Sequence, residues 1–496
     1  MMLIRLTQSI LAAFCLVIAF SVAALAQESE AKTAWQNLRS TAASHGVVIS
    51  SQGATDYGTS LVAQNVRVFL EDDPDDLLVH MPELRIEPRG TAIALVPSPE
   101  FTVTIRPSRR ELRELTFTHD GEIVADVSDE QIAIDLLFDQ MSARLTRSER
   151  RGEALSDSFE MSLEGFTSSL NALREGSADF TLGAETTRYD FSFDAGSARR
   201  PSPQSGDGTI AGLLVELSGR ELDMLGDDEG MLRAAFDAGL AMRLVYSAQS
   251  VTGNSSQMIE GAQVDMTSSG GASEFVVDIR DGVFAAHTTA GAAQISGGMA
   301  GISGDVSFGG LGLHLGFPML SSAEDQPLYL RFNLDDLIAS EETLALAGAG
   351  DFAGEAVSLA LEVSALGRLT EDMGPEFFEA DEPPFDVTSV SLDRLLTRVG
   401  AAEFTGSGAF AFLGGMLASI DQEMPNGTGD FVFELIGGDA LLTRLSALGV
   451  VPQDQQFFVR MMLNGLGRPV GEDHLRADVA IRPGGAVTVN GAPLPF

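Results

Sequence analysis

The sequence predicts a mainly β protein, a large antiparallel sheet that is curved or folded into two layers and carries a few short covering helices. Three observations predict it. Apolar residues alternate with polar or small ones from Val47 to the end of the chain, the period of a strand with one buried side. Turn residues, chiefly glycine, proline, asparagine and aspartate, bound the alternating segments. The apolar positions are interleaved rather than continuous, as in antiparallel strands and unlike a buried parallel sheet.

At the start, Arg5 precedes an apolar run from Ile10 to Phe20, and "SVAALA" puts Ala24 and Ala26 at the spacing that signal peptidase requires. A secretory signal over residues 1–26, cut before Gln27, is expected. A retained anchor is the alternative, for which the run is short and is followed at once by polar "QESEAK". The single cysteine, Cys15, lies in this segment behind Phe14, where a lipobox would have a small residue. Beyond it there are no cysteines, so no disulfide, thiol nucleophile or cysteine-based metal site is expected.

Next, Ala31, Ala34, Trp35, Leu38 and Ala42 recur at helical spacing until Gly46. Trp35 either anchors this helix at a membrane interface or caps the core of the first strands. Strands follow, read from Val62-Val66-Val68-Leu70, Phe101-Val103-Ile105, Ile132-Ile134-Leu136-Phe138, Phe159-Met161-Leu163 and Tyr189-Phe191-Phe193. Later ones are read from Phe275-Val277-Ile279, Leu311-Leu313-Leu315, Leu328-Leu330-Phe332-Leu334, Val357-Leu359-Leu361-Val363 and Phe431-Phe433-Leu435. The last strands alternate from Leu475 to Ile481, turn at Pro483-Gly484-Gly485 and turn again at Asn490-Gly491.

Helical spacing is also read at residues 165–175 (Phe166, Leu170, Leu173), at 228–243, and in a helical hairpin. The hairpin comprises Leu441 to Leu448 and then Phe457, Phe458, Met461 and Met462. That Phe and Met stripe fits a core contact, with a ligand contact as the alternative. "GAGDFAG" at 348, "GSGAFAF" at 406 and "GTGDFVF" at 427 are read as Gly-x-Gly turns, each leading into a strand anchored by Phe352, Phe410 or Phe431. The loop-like "DAGSARRPSPQSGDGT" (194–209) and the acidic "EDMGPEFFEADEPPFD" (371–386) suggest boundaries near 200 and 380. The expected organisation is thus 27–200, an N-terminal helix plus antiparallel β domain; 201–380, a β-rich middle; and 381–496, a β region with the helical hairpin.

A formal net charge of −40 repels phosphate backbones and anionic headgroups, so nucleic acid is excluded as a partner and membrane association is at most peripheral. His45, His80, His119, His287, His314 and His474 show no metal-ligand spacing, and the common zinc-protease, phosphate-loop and nucleophile-elbow motifs are missing. His119-Asp120 is read as a turn. The acidic runs 71–76 and 225–230 do not fit a calcium loop. One tryptophan and four tyrosines are few for a sugar groove. No enzyme, catalytic residue, metal or cofactor is expected.

On the order of 20 to 25 strands make a sheet roughly 100 Å wide, which must fold on itself or leave an apolar trough that a few helices cannot cover. The C-terminal run, "FTGSGAFAF" through "GTGDFVFELIGGDALLTRLSALGVVPQDQQFFVRMMLNGLG" to "AVTVNGAPLP", resembles the end of an alphaproteobacterial envelope family, a domain of unknown function distantly similar to the AsmA-like proteins. The resemblance rests on the last 120 residues or so and on structural motifs. It implies a periplasmic chain with a curved sheet and an apolar groove, associated with phospholipid movement or outer-membrane assembly, and it carries no functional residue over. The expectation is therefore an exported, non-enzymatic envelope protein whose curved sheet binds lipid or another apolar ligand. The candidate apolar face is Tyr189, Phe191, Phe193, Leu328, Leu330, Phe332, Phe431, Phe433, Phe457, Phe458, Met461 and Met462. The alternative is a structural or protein-interaction scaffold of the envelope without a small-molecule ligand.

Overall fold

The structure is a computed structural model. It describes residues 30–494 except 45, 75, 128–130, 174–175, 195–201, 222–230, 260, 300–301, 347, 374–384, 420–425 and 450. The expected signal segment with Cys15, the acidic run 225–230 and most of 371–386 lie outside the described residues. The fold is mainly β, as the alternation predicts: strands pair antiparallel in a large, partly ring-curved sheet accompanied by a few short helices. Thirty strands are described, more than the sequence suggested. The chain divides into two compact units, residues 1–220 with 244–267 and residues 221–243 with 268–496.

The first unit opens with helix α1 (Glu30–Ser44). Strands β1 (Val47–Ser50), β2 (Gly53–Asp56), β3 (Leu61–Leu70), β4 (Leu77–Arg89), β5 (Ala92–Pro97), β6 (Glu100–Ser108), β7 (Glu111–His119), β8 (Glu122–Val127) and β9 (Gln131–Arg150) follow. Then come β10 (Glu153–Ala154), β11 (Ser158–Leu173), β12 (Ala178–Asp194) and β13 (Pro203–Arg220), with most of β14 (Ala241–Ala248), all of β15 (Ser250–Ile259) and the start of β16 (Ala262–Gly270).

Two long strands organise this unit. Along one edge β4 pairs with β6 through Leu77–His80 and with β5 through Leu84–Arg89. Likewise β9 pairs with β8 near its start and with β7 from Met141 onward. Since β5 pairs with β8 and β6 with β7, the strands close a ring in the order β4–β5–β8–β9–β7–β6. The sheet continues outward through β3 on one side and through β11, β12, β13 and β15 on the other.

At the seam between the two halves of the ring sits "THDG". His119 Nε2 lies 2.9 Å from the Ser98 carbonyl oxygen, the Gly121 amide donates to His119 Nδ1 over 3.4 Å, and Asp120 accepts from the Gln140 amide at 2.9 Å. The turn read there is thus present, and its polar side chains stitch a gap in the ladder. His119 also meets Phe138 edge-on, with ring centroids 5.0 Å apart.

Val66, Ile86, Leu115 and Ala143 point inward and are fully buried, and α1 lays Ala31, Ala34, Trp35, Leu38 and Ala42 onto β1, β3 and β4. Trp35 is 4% exposed, with the Arg39 guanidinium over its ring, so it is a core residue and not an interfacial anchor. Two left-handed residues upset the simple period, although the strand pairing keeps its register across both. Asn65 (φ +50°) shifts β3 so that Leu61 and Ala63, not Val62, share the core face with Val66 and Val68. In β11, Gly165 (φ +61°) does the same before Phe166. The segment read as a helix at 165–175 is thus the second half of β11. Residues i and i+4 share a face in a strand as well as in a helix, so Phe166 and Leu170 fit both.

The second unit contains α2 (Met231–Ala238), inside the 228–243 stretch read as helical; residues 228–230 lie outside the described residues, and after α2 the chain turns at Gly239 into β14. Its strands are β17 (Ser273–Arg280), β18 (Val283–Ala290), β19 (Ala293–Met299), β20 (Ile302–Phe308), β21 (Gly310–Pro318), β22 (Gln326–Ala339), β23 (Val357–Leu369), β24 (Phe385–Val399), β25 (Ala402–Phe412) and β26 (Gly427–Ile436). The short α3 (Glu341–Ala345) separates β22 from β23. The predicted helical hairpin is α4 (Gly438–Ala447) and α5 (Gln453–Leu466), and the chain closes with β27 (Arg468–Gly471), β28 (His474–Arg482), β29 (Ala486–Val489) and β30 (Ala492–Pro493). The terminal strands read from Leu475 onward are present, with Val479 opposite Val489 and Ile481 opposite Val487.

Candidate functional site

Antiparallel register places one continuous apolar row across the second unit. From β17, Val277 stands opposite Ala286, which stands opposite Leu315, and Leu315 opposite Leu330. The row continues through Val363, Leu392, Gly408, Phe431 and Val479 to Val489. A parallel row runs Phe275, Thr288, Leu313, Phe332, Leu361, Leu395, Gly406, Phe433, Ala477. Ten strands at 4.8 Å spacing make this stripe about 43 Å wide. Its side chains are half in water: Leu328, Phe332, Leu361, Phe431 and Phe433 are half-buried, Leu330 is 39% exposed, and nearby Phe410 on β25 is buried. By contrast the equivalent face of the first unit is largely buried under α1 and within its own ring.

Glycines set the shape of the stripe. The "GSGAFAF" and "GTGDFVF" segments are not turns: Gly406 and Gly408 lie inside β25, and Gly427 and Gly429 inside β26. A Cβ on Gly408 would stand 2.5 Å from the Asp430 carbonyl oxygen and closer to the Phe431 ring, and one on Gly406 would stand 2.6 Å from the Phe433 ring. The aromatic rings of β26 therefore lie flat over the bare backbone of β25, with Phe431 and Phe433 stacked at 6.3 Å. At 348 the third segment enters a short 3₁₀ turn, Gly350–Phe352, and not a strand. The repeated pattern was real but its cause is close approach of rings to backbone, which sequence reasoning mistook for turn formation.

The other sequence candidates fall in two further places. Tyr189, Phe191 and Phe193 lie on β12 of the first unit as a stacked ladder, with ring centroids 6.4 and 5.6 Å apart, covering Gly206 and Gly208 of β13. Of these Phe193 is buried, and Tyr189 and Phe191 are half-buried. Phe457, Phe458, Met461 and Met462 project from α5 into solvent; Phe457 is 76% exposed. The core contact read for that stripe is therefore not made. Arg460, from the same helix, instead pairs with Asp439 at the start of α4 and donates to Thr443 at 2.8 Å.

The opposite face of the second unit is charged. Cross-strand neighbours His287, His314, Arg331, Glu362 and Arg394 form one row, with His287 2.9 Å from Glu274 and the two imidazoles stacked at 5.3 Å. Burial, then His287 and Arg331, push the His314 pKa down. Sequence spacing gave no sign of this pair, since register alone brings residues 287 and 314 together. Among the described residues no three His, Cys, Asp or Glu side chains cluster closely enough to hold a metal ion.

No family model matches the chain, and no curated protein matches it.

Among the described residues no helix is long and apolar enough to cross a membrane. The arrangement offers an amphipathic sheet: a broad apolar stripe backed by ion pairs, with an apolar helix surface in the same unit. Such a surface can hold extended hydrocarbon through van der Waals contact and water release.

Proposed function

We propose that this is an exported, periplasmic, non-enzymatic protein of the cell envelope whose second unit binds lipid acyl chains or another extended apolar chain on its open sheet face, in outer-membrane homeostasis. The observation that carries it is the ten-strand apolar stripe, continuous in register and half-exposed across its width. Each large apolar side chain taken fully from exposure to burial contributes about 1.5–3 kcal/mol, so covering such a stripe is strongly favourable. The AsmA-like resemblance of the last 120 residues or so points the same way. Soluble apolar ligands suit a chain whose net charge of −40 keeps it off anionic surfaces.

The test is extraction of the purified full-length protein with organic solvent and mass spectrometry of the extract, alongside a Phe332→Glu variant that places a charge in the stripe. Co-purifying phospholipid or fatty acid, lost from a folded Phe332→Glu protein, supports the proposal. Empty extracts from the unaltered protein overturn it and leave the scaffold reading.

A further inference from the structure

The first unit contains an apolar cavity, largely surrounded by protein, that is distinct from the open stripe. It lies between α1 and the inner face of the ring, with a free volume of about 70 Å³ for the centre of a water-sized sphere. Its walls are hydrocarbon from all sides: Leu38 from α1, Val66 and Val68 from β3, Met81 from β4, Phe138 and Met141 from β9, with others between them. The lining has one polar side chain, His119, and that imidazole is already engaged on both nitrogens, with the Ser98 carbonyl and the Gly121 amide.

We infer that this cavity is a binding site for the end of an unbranched hydrocarbon chain. Water fills a cavity only where it finds two to four polar partners, and none is free here, so the space is dry when empty. Roughly 10–15 Å³ of this measure holds one water-sized group, so about five to seven methylene-sized groups fit. A carboxylate or phosphate does not enter, because burying a charge without a partner is costly. Every other lining residue is buried, whereas Phe101 and His119 remain partly exposed, so the opening lies beside them, at the seam of the ring. A longer molecule therefore inserts its tail and leaves its polar end outside, next to the Ser98–His119 bond. Met81 and Met141 give the walls the pliancy that such a tail needs.

This site is independent of the open stripe, and one reporter separates them. Trp35 is the only tryptophan of the chain and lies in α1, one turn before the cavity-lining Leu38. Titrating the full-length protein with n-pentane, n-hexane and n-octane while following Trp35 emission should give saturable changes. Affinity should rise about fourfold per methylene and level off near six carbons. Hexanoate, whose five-carbon tail enters while its carboxylate stays outside, should bind about as pentane does, roughly fourfold more weakly than hexane. Val103→Phe, which fills the cavity, should weaken hexane binding at least tenfold; if that protein does not fold, Val68→Leu serves, with a smaller loss. No saturable Trp35 response to hexane, equal affinity for hexanoate, or unchanged binding by a folded cavity-filling variant would each overturn the assignment. Loss of co-purified lipid from the Phe332→Glu protein bears on the stripe alone and leaves the hexane result intact.

Discussion

Replacing Phe457 by serine separates a surface that works from a side chain that merely packs. Phe457 is 76% exposed on α5, so only about a quarter of its side chain is taken out of water by folding. At about 1.5–3 kcal/mol for full burial, the substitution costs roughly 0.4–0.7 kcal/mol of stability, and phenylalanine and serine differ little in helix propensity. In a unit of this size that lowers Tm by about 1–3 °C. If the α5 stripe rests on lipid, the exposed three-quarters, worth about 1.1–2.3 kcal/mol, is lost from binding, a six- to fiftyfold fall in partitioning. Flotation with uncharged phosphatidylcholine vesicles, in parallel with thermal unfolding, measures both quantities. The two numbers should move independently. A fall in Tm beyond about 5 °C shows that Phe457 is packed, and unaltered flotation shows that the stripe does not meet lipid; either result refutes the reasoning.

Other consequences are equally direct. Gly408→Ala should destabilise the second unit by about 1–3 kcal/mol in urea unfolding, because the new methyl meets the Asp430 backbone, whereas Gly406→Ala, facing only the movable Phe433 and Leu395 side chains, should cost clearly less; equal costs would contradict the packing described. Burial holds the His119 pKa below its ordinary 6.5, against the weaker pull of its bonds to Ser98 and Gly121 and of Asp120. The folded state thus refuses a proton that the unfolded chain accepts, so stability is unaffected above pH 6.5 and falls below it, by at most about 1.4 kcal/mol per pH unit, until the folded pKa is reached. His119→Gln should flatten that part of the urea-derived stability profile, and identical profiles would contradict it. Burial opposes ionisation of Asp372, yet bonds from Arg233 and Ser321 outweigh it and hold the carboxyl below its usual 3.8, so its contribution is present above pH 3.8 and lost as the pH falls below. Arg233→Ala should shrink that acid-side loss in thermal unfolding, while an unchanged loss would show that the Arg233–Asp372 pair does not shape it.

Alternation made the β class, the terminal hairpins and the apolar row through Leu330, Phe332, Phe431 and Phe433 legible, because a strand's period is fixed by backbone geometry. What stayed hidden depends on distance in sequence. The closed ring arises because β4 and β9 each change partner along one edge, and no local pattern records a partner change. Left-handed residues at Asn65 and Gly165 invert the phase of a strand midway, so Val62 was given the wrong face and Phe166, Leu170 and Leu173 were read as a helix. The glycines at 406 and 408 were noticed for the wrong reason: an unencumbered backbone looks the same in sequence whether it turns or lies beneath a ring. The cavity under α1 left one trace, His119, and a half-buried histidine with two backbone partners is indistinguishable by spacing from one in a turn.

The open stripe is tested most directly by photo-crosslinking in intact cells, with benzoylphenylalanine placed at position 332 or, one residue away on the charged face, at 331. Successive side chains of β22 point to opposite faces, so only the probe at Phe332 looks into the apolar row. Lipid adducts at 332 and none at 331 are the expected outcome. Adducts at neither position, or crosslinks from 332 solely to this protein's own chain, would contradict a lipid-bearing face.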